Sequence, residues 1–274
     1  MTFHVITIRI LIVRCELIVL TKEIFLQQMT WKEVRNAVSE GYLLTLVIGS
    51  TEQHGPHLPL GTDVYIPLGI AERVASKTKM IIVPPITYGY YSQVRSGGGG
   101  EKFPGTTSVR SLTLVGLVTD VMEAFIRHGF RKFIILSGHY ENSQLIGESV
   151  QNAMKSSGNT DARTLVVNWW DLIPAEVLKE VYGRNFPGWE IEHAAIAETS
   201  MMMTLKPELV RTDQIHDYEM ARRLAYDIIP PPTDTIPESG VPSKASSASR
   251  NKGEALVLAA VDKLAEAINR DLID

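Results

Sequence analysis

Two short stretches of this chain each set an acid and an imidazole two positions apart: Glu52 and His54 in EQHGPHLPLGTD, and His139 and Glu141 in GHYENS. A further carboxylate, Asp63, closes the first stretch. In extended backbone, residues i and i+2 point to the same side, so each pair projects together. Two imidazoles and three carboxylates without sulfur suit Zn²⁺ or Mn²⁺. Five ligand side chains exceed what one catalytic ion usually takes. With one carboxylate bridging, they suit two ions about 3.5 Å apart, the spacing of hydrolytic metal pairs. Plainer roles exist for each residue alone. Asp63 follows Thr62 at an expected helix start and could serve as an N-cap. A lone histidine at a strand end is commonly a hydrogen-bonded structural residue, the reading kept here for His57. The repetition of the acid–imidazole pair after two separate apolar runs argues for metal.

Those pairs need elements to carry them. Residues 43–50, 80–86, 132–137 and 164–170 are dense in Val, Ile or Leu with little alternation, as expected of strands buried on both faces. Helical spacing of apolar residues covers 64–77, 112–128, 143–155, 192–205 and 253–269. Strands alternating with helices predict the α/β class: a single three-layer α/β/α domain with a mainly parallel central sheet. Such sheets bind ligands outside the carboxyl ends of their strands, where both motifs fall. No internal repeat is evident. The segment 230–249, rich in Pro, Ser and Thr, reads as a long ordered loop or arm before the last helix.

Composition narrows the functional classes. The 274 residues are 45% hydrophobic and 21% charged, ordinary for a chain with a full core. A net charge of −4 leaves no basic footprint for nucleic acid. A single cysteine, Cys15, excludes an internal disulfide and a cysteine-cluster zinc site, and suits a reducing compartment. The first twenty residues are apolar but broken by Arg9, Arg14 and Glu16, which fits neither a membrane span nor a secretory signal. An accessory strand is expected there, or a start codon upstream of Met29, and the protein is read as cytoplasmic with no membrane partner. Gly97–Gly100 lacks the Lys-Ser/Thr ending of a phosphate-binding loop and is expected to bend over the metal site instead. No G-x-S-x-G elbow is present, and Cys15 offers no good nucleophile.

EQHGPHLPLGTD, SGGGGEKFPGTTS, GHYENS and the later GWEIEH resemble, in order and spacing, the motifs of the creatininase family. The resemblance runs over 29–274 and leaves 1–28 as an extension outside it. It implies a homohexamer and two divalent ions per subunit. Glu52, Asp63 and His139 would hold one ion, Mn²⁺ or Zn²⁺; His54, Asp63 and Glu141 would hold the second, Zn²⁺, with Asp63 as the bridge. Members of the family cleave creatinine, formylamides or peptides, and the metal motif does not choose among them. Ser96, Tyr140, Trp170, Trp189, Glu190 and Glu192 fall at or beside the pocket positions of the creatinine-cleaving members, whereas Trp169 reads as core. Stacking and cation–π contact suit the planar, guanidino-bearing creatinine. Glu190 departs from the Asp expected there and could alter pocket size.

By the same resemblance His193 and Glu141 are the catalytic residues. His193 lies beside Glu192 at an expected helix start, and a neighbouring carboxylate can orient an imidazole and raise its pKa; its bland alternative is a helix cap. The implied chemistry is reversible conversion of creatinine and water to creatine, a metal-activated hydroxide attacking the lactam carbonyl while His193 gives a proton to the ring nitrogen. Segment 230–249 is a candidate to reach a neighbouring subunit. Another amide hydrolase of the family, a metal-binding protein without catalysis and, more weakly, a nucleotide-binding module remain as alternatives.

Overall fold

The structure is a computed structural model describing residues 24–273 except 159, 160, 221 and 233. Four parallel strands form one sheet in the order β2-β1-β3-β4: β1 is Leu43–Ile48, β2 Met80–Ile82, β3 Lys132–Ser137 and β4 Arg163–Asn168. Helices connect them: α1 Trp31–Ser39, α2 Thr62–Ala75, α3 Ser111–Arg127, α4 Ser143–Ser156, α5 Ala175–Tyr182, α6 Ile196–Leu205 and α7 Arg250–Ile268. The apolar runs without alternation follow from burial on both sides. Leu43, Val47, Ile134 and Leu136 pack with α2, α6 and α7 on one face, while Leu44, Leu46, Ile48 and Ile135 pack with α1, α3 and α4 on the other. The expected three-layer α/β/α arrangement is what the chain adopts.

Register sets where the chemistry falls. Ile48 of β1 pairs with Ser137 of β3, so the two motifs leave the sheet at the same level of the same edge. β2 is shorter than its apolar run because Pro84 and Pro85 cannot donate to the ladder, although Ile86 returns to bridge Ile48. β4 is an outer strand and half exposed rather than buried on both faces, with Trp169 and Trp170 in the turn that follows it. The accessory strand expected in the first twenty residues lies outside the described residues; residues 24–25 do run along the free side of β2, where Ile82 N–H donates to the Ile24 carbonyl at 2.7 Å. Segment 230–249 carries no helix or strand among its described residues, and Val241 and Ala245 within it are buried. No helix among the described residues is long and apolar enough to cross a membrane.

Candidate metal centre

Two glycines at the strand ends determine the geometry. A Cβ on Gly49 would lie 2.4 Å from the Asp63 carbonyl oxygen, and one on Gly138 only 1.8 Å from it. Only glycine lets the first turn of α2 rest on the ends of β1 and β3. That contact buries Asp63, the second residue of α2, between the two motifs. It is not the N-cap, which is Gly61. Its carboxylate divides instead between two imidazoles: Oδ1 lies 3.0 Å from His54 Nε2 and Oδ2 3.0 Å from His139 Nδ1. Glu52 Oε2 is 3.1 Å from the same His139 Nδ1.

Backbone carbonyls fix which nitrogens face this cluster. His54 Nδ1 lies 3.0 Å from the Glu52 carbonyl and His139 Nε2 lies 3.0 Å from that of Tyr90. A backbone carbonyl so placed orients a ligating imidazole by taking its other N–H. His54 Nε2 is buried and makes no hydrogen bond of acceptable geometry, despite Asp63 at 3.0 Å and Glu198 Oε2 at 3.5 Å. An orphaned nitrogen among carboxylate oxygens fits a divalent cation better than a purely hydrogen-bonded core. The electrostatics agree. Burial lowers the affinity of His54 for a proton, but Asp63 and then Glu198 push its pKa up to about 10. Burial works the same way on His139, where Glu52 and Glu141 prevail and hold the pKa well above its ordinary value. Burial raises Glu52, yet His139 holds it down at about 2. A buried field that draws protons onto two imidazoles also draws metal cations.

The donor atoms of Glu52, Asp63 and His139 lie within 4.8 Å of one another, as do those of His54, His193 and Glu198. The first set is the expected one. In the second, Glu141 does not accompany His54; its Oε2 lies 3.3 Å from His139 Nε2, and its Oε1 accepts the Gln93 N–H at 2.9 Å. Glu198 stands beside His54 instead. Sequence reasoning missed it, although it is the single charge in the helix IAETSMMMTL, and a buried charge on an apolar helix is itself a signal.

His193 sits against this cluster, its ring centroid 4.3 Å from that of His54 and its Nε2 2.8 Å from the Gln53 carbonyl. Gly98 presses on it: a Cβ there would be 3.2 Å from His193 Cδ2 and 3.5 Å from Glu52 Oε1. The glycine run therefore does bend over the site. The Gln53 amide is held by the Gly98 and Gly240 carbonyls, which pins the arm to the back of the centre. One expectation is corrected. The Glu192 carboxylate does not touch the His193 ring; its Oε1 accepts from the Tyr182 hydroxyl and the Ala197 N–H, both at 2.6 Å. Burial first and the charge on His54 second lower the His193 pKa to about 4, where the sequence predicted a rise.

A cavity of about 40 Å³ adjoins the cluster, reached by Ser96, Glu192, Glu198 and the aromatic walls Trp169, Trp170 and Trp189. Outside it opens a vestibule of about 540 Å³. Tyr140, Glu141, Trp170, Trp189 and Glu190 line both, so they form the partition. Tyr140 stacks on Trp170 at 5.8 Å, and Trp189 is wedged edge-on between Trp169 and Phe186. Trp169 is almost wholly buried, as expected of core. Glu190 faces the vestibule, paired with Arg95 at 3.0 Å and Arg223 at 3.4 Å.

A sequence model described as creatininase, creatinine amidohydrolase, matches residues 27–268. Creatinine amidohydrolase of Pseudomonas putida is 38% identical over 258 residues, 92% of this chain and 98% of that protein. A 3-dehydro-scyllo-inosose hydrolase of Thermotoga maritima is 30% identical over 72% of this chain and 60% of that protein. A crystal structure of creatininase superposes with a TM-score of 0.89 at 37% identity, covering 93% of this chain and all of the other. Other creatininase structures that match include a variant complexed with creatine, a Zn–Zn form and a Mn form.

Proposed function

This chain belongs to the creatininase family, and from that premise we propose that it hydrolyses the cyclic amide of creatinine to creatine, reversibly, with two divalent ions per subunit. The observation that carries the proposal is the Asp63 carboxylate, whose oxygens each face one of two buried imidazoles beside an aromatic-walled cavity. Glu52, Asp63 and His139 would hold one ion, Mn²⁺ or Zn²⁺. His54, Asp63 and Glu141 would hold the second, Zn²⁺, which would require Glu141 to give up its contact with His139. Ions bound there would supply Lewis acidity, lowering the pKa of a water and drawing charge from the carbonyl oxygen.

The chain's own groups do the rest. Water adds to the carbonyl carbon, the ring C–N bond breaks, and the nitrogen takes a proton. His193 is neutral and donates Nε2–H to Gln53, which leaves Nδ1 to accept a proton and return it to that nitrogen. Glu141, the second residue assigned to the reaction, lines the inner cavity beside His193. Trp170, Trp189 and Tyr140 offer faces to the flat substrate and exclude bulk water, while Ser96, Glu190 and Glu192 complete the pocket. The cavity of about 40 Å³ holds little more than water, so the aromatic partition must part for substrate to enter. Incubation with creatinine followed by NMR tests the assignment; creatine should appear, and its absence would reject creatinine as substrate.

One observation favours a second reading. Glu190 stands where Asp was expected, lines both cavities and pairs with Arg95 and Arg223, and the longer side chain would change the pocket in a way that suits a related amide. Hydrolysis of a formamide in preference to creatinine would select that reading. For assembly we propose the homohexamer of the family, in which exposed Tyr226, Ile228 and Ile229 ahead of the arm offer an apolar contact; light scattering would report six chains per particle.

A further inference from the structure

Glu198 has no part in the reaction above, yet it is 94% buried, lines the inner cavity and stands beside His54. Its closest contact is with backbone. Oε2 accepts the Ala194 N–H at 2.7 Å. Ala194 has φ 54, and it is the one residue other than glycine with positive φ among the described residues. An L-residue is rarely held in the left-handed region unless its surroundings fix it there, and such strain collects at functional sites.

The surroundings here are specific. The Ala194 side chain is fully buried, and its two backbone polar groups are both held by α6. Glu198 takes the N–H, and the Thr199 hydroxyl donates to the carbonyl at 3.2 Å. Thr199 is fixed in turn by His57, whose Nε2 lies 2.9 Å from its hydroxyl oxygen. This turn redirects the chain from the Trp189 segment into α6, and His193 is the residue immediately before it. Its left-handed bend aims the imidazole at His54, at 4.3 Å between ring centroids. Without Glu198 the Ala194 N–H would be buried and unpaired, and the turn could relax to an ordinary φ by swinging His193 away.

We propose that Glu198 is a positioning residue for His193: its carboxylate holds the Ala194 N–H, locks the left-handed turn and acts on the reaction only through the imidazole so placed. This role rests on the assignment of proton transfer to His193. A competing role as a third ligand beside His54 would have a different signature.

The test compares the metal-loaded enzyme with E198A, E198D and E198Q. Readouts are metal content by mass spectrometry, steady-state kinetics on creatinine and hydrogen exchange of the 193–197 amides. E198A should keep both ions and its KM while kcat falls about 100-fold, as expected for misplacement of a catalytic group by about 1 Å. E198Q keeps an acceptor oxygen at the right reach and should recover most of that loss. E198D keeps a carboxyl group but not the reach; it should behave like E198A, which preserves the test if E198A does not fold. The Ala194 amide should exchange faster in E198A and E198D but not in E198Q. In an H193A background, E198A should cost less than about twofold more, because groups acting as a unit are not additive.

Loss of an ion from the variants would make Glu198 a ligand and overturn the proposal. So would an undiminished kcat in E198A, or a full additional loss on H193A. If H193A itself is fully active, the assignment of His193 fails and this role fails with it; if H193A is inactive and E198A is not, only the role of Glu198 fails.

Discussion

Asp63 turns one carboxylate oxygen to each of the two buried imidazoles, so its replacement tests the shared role directly. As the shared carboxylate it should cost both ions together. D63N is therefore expected to fold, to bind fewer than one ion per chain by mass spectrometry, and to lose at least about 1000-fold in kcat, a loss in the range ascribed to removing metal activation. E52Q should lose one ion and keep the other. His57 gives a prediction of a different kind. Burial, and after it the charge on His54, hold its pKa at about 4, below the ordinary 6.5, so the unfolded chain binds an extra proton between those values. Its contribution is complete above about pH 6.5 and declines as the pH falls towards 4. Urea midpoints measured over that range should slope less steeply with pH for H57Q than for the wild type. An identical slope would show that other groups govern the acid limb. At this scale the sequence spoke clearly where spacing and chemistry coincide, as in Glu52–His54 and His139–Glu141. It marked Glu198 only as a lone charge on an apolar helix, and gave no sign of its partner, because no residue type announces an alanine taking a glycine-like φ. It misled on Glu192, because adjacency in the chain suggested contact with the His193 ring, whereas the fold turns the carboxylate to Tyr182.

Among the elements, the seating of α2 on the ends of β1 and β3 matters most. A methyl at residue 138 would meet the Asp63 carbonyl at 1.8 Å, a backbone atom that cannot yield. G138A should destabilise the protein by about 3 kcal/mol in chemical denaturation, the upper end of typical overpacking, and should weaken metal binding as well. Gly147 within α4 is the matched control. Nothing lies within 4 Å of its missing Cβ, so G147A should stabilise the protein by about 0.5–1 kcal/mol through helix propensity and leave metal content unchanged. Equal effects of the two substitutions would refute the argument from close approach. Most elements were legible because an apolar run buried on both faces, or a 3.6-residue period, leaves a direct trace. Two helices escaped. α1 carries a capping box between Thr30 and Glu33, but buries only Ala37 and so shows little apolar stripe. α5, at eight residues, is too short to establish a period. The extent of β2 was overread because Pro84 and Pro85 end the ladder within an otherwise apolar run.

For the whole molecule, the layers deliver residues far apart in sequence to one edge of the sheet. Glu52 and Asp63 arrive from the passage between β1 and α2, His139 from the end of β3 and His193 from the turn before α6, and the arm is tied in through Gly240. Such a centre is part of the fold, so ions bound to it should raise Tm in proportion to the logarithm of their free concentration. A chelator should lower Tm without unfolding the protein at 25 °C, since the two apolar cores lie on the faces of the sheet and not at the centre. The most direct test of the account is creatinine hydrolysis by protein stripped with a chelator and then titrated with Mn²⁺ or Zn²⁺. Turnover should vanish on stripping and return in full as two ions bind per chain. Creatinine turnover that persists in metal-free protein, or full recovery with a single ion per chain, would contradict it.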